Sequence, residues 1–201
     1  QQSPPRRRQT MAPTAHLCQS KEKSMQEDWR DGVWQRYGEF FDRSAPYSIG
    51  IHSLPIGWRE LVDTTLDRIS LVVETDKLAR LAIHGLSRER GVMKIRWTAS
   101  TLRFETIVTD IIDRASARSS VTCETCGDAG VRYRVGDDAV AACAVHRTPG
   151  APEIRPAWPS IRIEREIVSA RVTIKSCRVY DRDADKFVDA APADLGIGDL
   201  S

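Results

Sequence analysis

Residues 121–148 read VTCETCGDAGVRYRVGDDAVAACAVHRT, and within them Cys123, Cys126, Cys143 and His146 form a Cys-x2-Cys pair and a Cys-x2-His pair separated by residues 127–142. A tetrahedral divalent ion needs four soft or borderline ligands. A Cys-x2-Cys turn lets two sulfurs reach one ion while neighbouring backbone amides soften the thiolate charge. Gly127 suits the tight turn of such a knuckle. Val131–Val135, the turn Gly136-Asp137-Asp138 and Ala139–Ala142 read as a β-hairpin that returns the second pair to the first. The pattern predicts a zinc ribbon over 121–148, with Cys123, Cys126, Cys143 and His146 as ligands of a structural Zn²⁺.

Other uses of these residues fit less well. A redox Cys-x-x-Cys requires neither Cys143 nor His146, and no thioredoxin-like strand–helix pattern surrounds the motif. A disulfide reading leaves the histidine unexplained. A catalytic ion needs one open coordination position, whereas four protein ligands fill a tetrahedron. The nucleobase-deaminase pattern is missing, because no His-x-Glu occurs and Glu124 lies inside the knuckle. No Gly-rich phosphate loop or nucleophile elbow appears elsewhere, so the chain reads as non-enzymatic, with no small-molecule substrate evident.

Upstream of the cysteines, Trp58, Leu61, Val62, Thr65, Leu66, Ile69, Val72 and Val73 keep a 3.6-residue period and predict a helix whose polar face carries Glu60, Asp63, Asp67 and Arg68. Trp29, Val33, Trp34, Tyr37, Phe40 and Phe41 predict an earlier aromatic-rich helix, with breaks at Pro46, Gly50, Pro55 and Gly57. Residues 77–86 (KLARLAIHGL) suggest a short helix ended by Gly85. From Gly91 the period changes: Met93, Ile95 and Trp97 alternate with Lys94 and Arg96, and Leu102 and Phe104 with Arg103 and Glu105. That alternation predicts a hairpin turning at Thr98–Thr101, with Lys94, Arg96 and Arg103 on one exposed face. A third helix follows, with Val108, Ile111, Ile112 and Ala115 inward and Asp110, Asp113, Arg114 and Arg118 outward.

Beyond Pro149, Gly150 and Pro152, Ile161 and Ile163 and then Val172 and Ile174 alternate with polar residues, extended by Val179 and Phe187. These predict two or three antiparallel strands, with Cys177 as a small buried hydrophobe. Whether the strands join the main core is left open. The expected organisation is therefore a disordered tail over 1–24, an α+β domain over 25–120, the ribbon over 121–148, antiparallel strands over 149–190 and a flexible end over 191–201. The fold class is α+β: about three helices, a small antiparallel sheet and a zinc-ribbon lobe.

The arrangement resembles a family of small uncharacterised proteins found mostly in bacteriophages and prophages. There, a helix opened by Gly-Trp precedes a Leu-Arg-Phe-containing segment, a helix ending in Ser, a Cys-Glu-x-Cys-Gly knuckle and a final Cys-x-x-His. Here Gly57-Trp58, Leu102-Arg103-Phe104, Ser119 or Ser120, and Cys123, Glu124, Cys126, Gly127, Cys143 and His146 match it over roughly 57–146. Trp97-Thr98-Ala99-Ser100 replaces the family's Lys-Phe-Gly stretch. The resemblance implies a zinc site and a phage or mobile-element origin, and carries no activity with it.

The chain has 201 residues, with 30 Lys+Arg against 28 Asp+Glu and a formal net charge of +2, so affinity for nucleic acid would have to come from a local basic patch. Arg132 and Arg134 beside Tyr133, with Arg114, Arg118 and Arg147, are the candidate contact surface, unless they pair internally with Asp110, Asp113, Asp137 and Asp138. No apolar run approaches the roughly 18 residues of a membrane span, and the N-terminus lacks the apolar stretch of a secretory signal. The expected compartment is the cytoplasm. The leading expectation is a zinc-binding accessory protein that binds a macromolecule, either nucleic acid or a complex that processes it. A protein-only inhibitor, adaptor or immunity-type module is the alternative, and a metal-dependent enzyme the third reading.

Overall fold

The structure is a computed structural model and describes residues 29–42, 50–76, 80–156, 158–168 and 171–197. The expected N-terminal tail, Pro46 and Cys18 lie outside them. Helix α1 spans residues 29–37 and runs into a 3-10 turn at Gly38–Phe40. The amphipathic stripe continues through that turn, since Trp29, Val33, Tyr37, Phe40 and Phe41 are all buried. Helix α2, Arg59–Thr75, follows a 3-10 turn at Ile56–Trp58 and buries Leu61, Val62, Thr65, Leu66 and Ile69. These are the residues whose spacing predicts it.

Two expectations are corrected. Within the segment read as a short helix over 77–86, of which 77–79 lie outside the described residues, Leu81 onward instead forms strand β1, Leu81–Glu89, paired antiparallel with β2, Val92–Ala99. Ile83 lies opposite Trp97 and Leu86 opposite Ile95, with a register shift between Ile83 and Gly85. His84 is the extra residue, so Ile83 and Leu86 share a sheet face although they stand three apart. That bulge imitates helical spacing in the sequence. In the second case, Leu102 and Phe104 do not form the return strand of a hairpin: they open helix α3, Leu102–Ser119. The Thr101 side chain accepts the Phe104 N–H at the N-terminus, with Phe104 1% exposed and Leu102 79%. The local alternation is the first turn of an amphipathic helix, and Arg103 leaves the face that carries Lys94.

Helix α3 packs on α2 and on β2. Its last turns also close the outer edge of β2, because Ser116 Oγ donates to Met93 O at 3.0 Å and Met93 N–H donates to Ser119 Oγ at 2.8 Å. Both serines are buried, and Met93 is fully enclosed. The main core is one cluster that joins α1, α2, α3, β1 and β2 around Trp58, Leu66, Ile69, Ile83, Phe104 and Val108.

The expected hairpin is present as β3, Val131–Val135, against β4, Asp138–Ala142. Backbone bonds from Arg134 N–H to Pro152 O and from Ile154 N–H to Arg132 O add residues 152–154 along the free edge of β3. Strands β5, Ile161–Val168, β6, Arg171–Asp181, and β7, Lys186–Asp189, form a separate antiparallel sheet in the order β5-β6-β7. Cys177 is buried in it. This sheet meets α3 through polar contacts: Ser120 Oγ with Ser160 Oγ at 2.6 Å, and Arg162 with Asp113 at 3.0 Å. A 3-10 turn at Pro192–Leu195 follows β7. With three helices and three antiparallel sheets among the described residues, the fold is α+β. None of the described helices is long and apolar enough to cross a membrane.

Replacing Ser119 by Ala strips the buried Met93 N–H of its acceptor. Denaturant unfolding should show a loss of about 1–3 kcal/mol, while Ser70→Ala on the exposed side of α2 should stay within about 0.5 kcal/mol of the parent.

Candidate metal centre

The knuckle is shaped by its own backbone. Gly127 N–H donates to Cys123 O at 2.9 Å, Cys123 N–H to Asp128 O at 2.8 Å, and Glu124 N–H to Ala141 O at 2.8 Å, which ties the first pair to β4. After β4, the N–H groups of His146 and Arg147 both reach Cys143 O, at 3.1 and 3.0 Å. Gly127 has φ +83°, a conformation that glycine adopts without cost.

Cys126 Sγ lies 3.7 Å from Cys143 Sγ, His146 Nδ1 lies 3.7 Å from Cys123 Sγ and 3.3 Å from Cys143 Sγ, and all four ligand atoms fall within 4.8 Å of one another. Metal–sulfur bonds of about 2.3 Å put the edge of a regular tetrahedron at about 3.7 Å. The four residues therefore form a set that can hold one metal ion. Cys123 and Cys143 are buried, whereas Cys126 and His146 are exposed.

The thiols do not ionise alike. Burial opposes the Cys123 thiolate, but backbone hydrogen bonds from Cys126, Cys143 and Thr125 outweigh it and bring that thiol down to about 6. Cys126 accepts a backbone hydrogen bond at Asp128 that favours its thiolate, yet desolvation, the Asp128 carboxylate and the two neighbouring sulfurs push it up to about 12. Of these two thiols, the protein groups favour the Cys123 thiolate and oppose that of Cys126, an opposition a bound cation would offset.

Three tethers fix this centre to the α+β body. Gly57 N–H donates to Glu124 O at 2.9 Å, and a Cβ on Gly57 would stand 2.2 Å from Cys123 O. Trp58, fully buried, donates Nε1–H to Thr122 O at 3.2 Å. Arg88 of β1 donates to Glu124 Oε2 at 2.8 Å, to Asp138 Oδ2 at 2.6 Å and to Ala139 O at 2.5 Å, while Glu124 Oε1 accepts Ala141 N–H. Glu124 is consequently spent in a clamp between β1, β4 and the knuckle.

The predicted contact residues separate. Arg114 pairs with Asp110 at 2.9 Å, and Arg118 with Asp185 at 3.4 Å and with Arg182 O. Tyr133 is 8% exposed, Arg132 is half-buried, and Arg134 and Arg147 are exposed. Asp138 and Asp113 are taken by Arg88 and Arg162. Sequence reading passed over Arg88, Arg90 and Trp158. Arg88 has no local signal, since its partners lie 36 and 50 residues away.

No protein-family model, curated protein or solved structure matches this chain.

Gly57→Ala forces the knuckle away from the start of α2. Release of a bound metal ion to a chromogenic chelator should become faster, and stability should fall by about 1–3 kcal/mol. Gly32→Ala, where an added Cβ meets nothing within 4 Å, should do neither.

Proposed function

We propose that this chain is a non-enzymatic zinc protein of phage or mobile-element type, in which structural Zn²⁺ holds a surface that binds nucleic acid. One observation carries the nucleic-acid reading: Lys94 stacks on exposed Trp158 and lies near enough to Arg132, and Arg132 to Arg90, for their charges to interact, while none of the three has a carboxylate within ion-pair distance among the described residues. The Lys94 ammonium sits 3.3 Å over the Trp158 ring, which is 59% exposed. Burial and then the charge of Arg90 hold the Arg132 guanidinium below its ordinary value. Burial likewise lowers Lys94, with the through-space pull of Glu89 and Asp113 opposed by Arg132. Like charges held together without a direct ion pair, with Glu89 and Asp113 acting on Lys94 and Asp138 on Arg90 only through space, suit a phosphate backbone, and an exposed indole suits a base.

The turn that carries Arg90 packs on the ribbon, since a Cβ on Gly91 would stand 3.1 Å from Ala139 O, and Arg132 lies on β3 between the ligand pairs. Holding the ribbon therefore holds the surface. Zinc is favoured over other ions by three sulfurs with one imidazole in a tetrahedral spacing. Four protein ligands leave no open position for water, which supports a structural ion over a catalytic one. The phage-type part of the reading rests on the match of Gly57-Trp58, Ser119 and the knuckle to the family described above.

A second reading, a protein-only module, is favoured by the outer end of the β5–β6 hairpin, where Ile167, Val168 and Val172 are 77%, 50% and 43% exposed.

Elemental analysis of purified protein should find one zinc per chain, and Cys143→Ser should abolish it; a metal-free, folded parent would overturn the ribbon. Zinc-loaded protein should bind single- or double-stranded oligonucleotides with an affinity that falls as salt rises. The combined Arg90→Gln, Lys94→Gln, Arg132→Gln variant should lower the slope of log K against log salt by about 2–3. An unchanged slope, or no binding, would favour the protein-only reading.

A further inference from the structure

A cavity of about 290 Å³ opens between the first half of α2, the end of α3, the knuckle and the β6–β7 turn. Three guanidiniums line it: Arg68, Arg118 and Arg182, with Glu60 and Asp185 as the carboxylates. Asp185 is already fully engaged. It accepts Arg68 Nη2 at 2.5 Å, Arg118 Nη1 at 3.4 Å and the Tyr180 hydroxyl. Burial pushes this carboxyl up, but Tyr180 and then the two guanidiniums outweigh it and hold the group below the usual carboxylate range.

Arg182 is the residue left over. Its Nη2 donates to Gly127 O at 3.1 Å, its Nε is buried with no acceptor, and no carboxylate stands within ion-pair distance of it among the described residues. A buried N–H without an acceptor leaves the hydrogen bonding of this guanidinium incomplete, and its planar fork matches the spacing of oxyanion oxygens. The lining sums to one net positive charge, three arginines against two carboxylates.

We propose that this cavity binds a small oxyanion, a phosphoryl or carboxylate group, with Arg182 as the principal contact and Arg68 and Arg118 completing the positive wall. The site is separate from the surface around Trp158, which has no residue in common with it. Because Arg182 is held by the carbonyl of Gly127, an anion seated here also braces the knuckle between Cys126 and the body of the protein.

The test uses zinc-loaded full-length protein titrated with inorganic phosphate, and separately with acetate, at constant ionic strength, reading thermal stability, heat of binding and zinc release. Saturable binding of at least one of these anions is expected, with slower zinc release. Arg182→Gln should weaken it at least tenfold. Glu60→Gln, which removes a carboxylate from the rim, should tighten it several-fold, so the site is tested in the direction of gain even if Arg182→Gln folds poorly. The Arg90, Lys94, Arg132 triple variant should bind the anion as the parent does. Absence of saturable binding, or binding that Glu60→Gln and Arg182→Gln leave unmoved, overturns the proposal. Loss of binding in the triple variant assigns the anion to the Trp158 surface and also overturns it.

Discussion

Three sulfurs and an imidazole nitrogen lie within 4.8 Å of one another, and thiolates packed so closely repel one another unless a cation sits among them. The backbone amides around Cys123 favour its thiolate, whereas desolvation, the Asp128 carboxylate and the neighbouring sulfurs oppose that of Cys126. A divalent cation reverses that balance by turning mutual repulsion into shared attraction. The free energy involved is large for a lobe of this size, of order 10 kcal/mol for structural zinc. Residues 123–146 contribute little apolar burial of their own, with Tyr133, Ala139, Ala141 and Ala142 as their buried apolar side chains.

What makes the centre matter to the whole fold is that its tethers come from distant parts of the chain. Gly57 and Trp58 reach it from the start of α2, Arg88 from β1, and Arg182 from the far end of β6. They grip backbone carbonyls and the side chains of Glu124 and Asp138. Disordering the knuckle would therefore remove partners from three other segments at once. The same geometry explains why a Gly-Trp pair and a Cys-Glu-x-Cys-Gly knuckle sit in one chain: only a residue without a Cβ at position 57 allows the indole of Trp58 and the knuckle carbonyls to close on each other.

Much of this was legible in the sequence. The long period of α2, the inward residues of α3, the β3–β4 hairpin and the four clustered ligands follow from spacing alone, because each depends on neighbours a few residues away. The failures share a cause. In β1 a bulge at His84 put Ile83 and Leu86 on one face at a helical interval, and at Thr101 the first turn of α3 briefly alternated like a strand. In both places a single local feature offset the period by one residue, and only the partner strand or the buried face decides between the alternatives. The Arg88 clamp and the Trp158 surface were illegible for a different reason: they join residues whose proximity is created by the fold.

A net charge of +2 suggests a surface without electrostatic purpose, and the structure shows how that sum misleads. Carboxylates are not spread evenly among the cations. Asp185 serves Arg68 and Arg118, Asp110 serves Arg114 and Arg162, Arg162 also takes Asp113, and Arg88 takes both Glu124 and Asp138. Apart from Asp110–Arg114, which lies within α3, these pairs join different elements, where a partly buried charge left alone would be expensive. Concentrating the acids there leaves Arg90, Lys94 and Arg132 on one face, and Arg182 in a cavity, without a matching carboxylate. Net charge averages over both populations. The acids drawn into ion pairs and the cations left without one are thus two results of one distribution of charge.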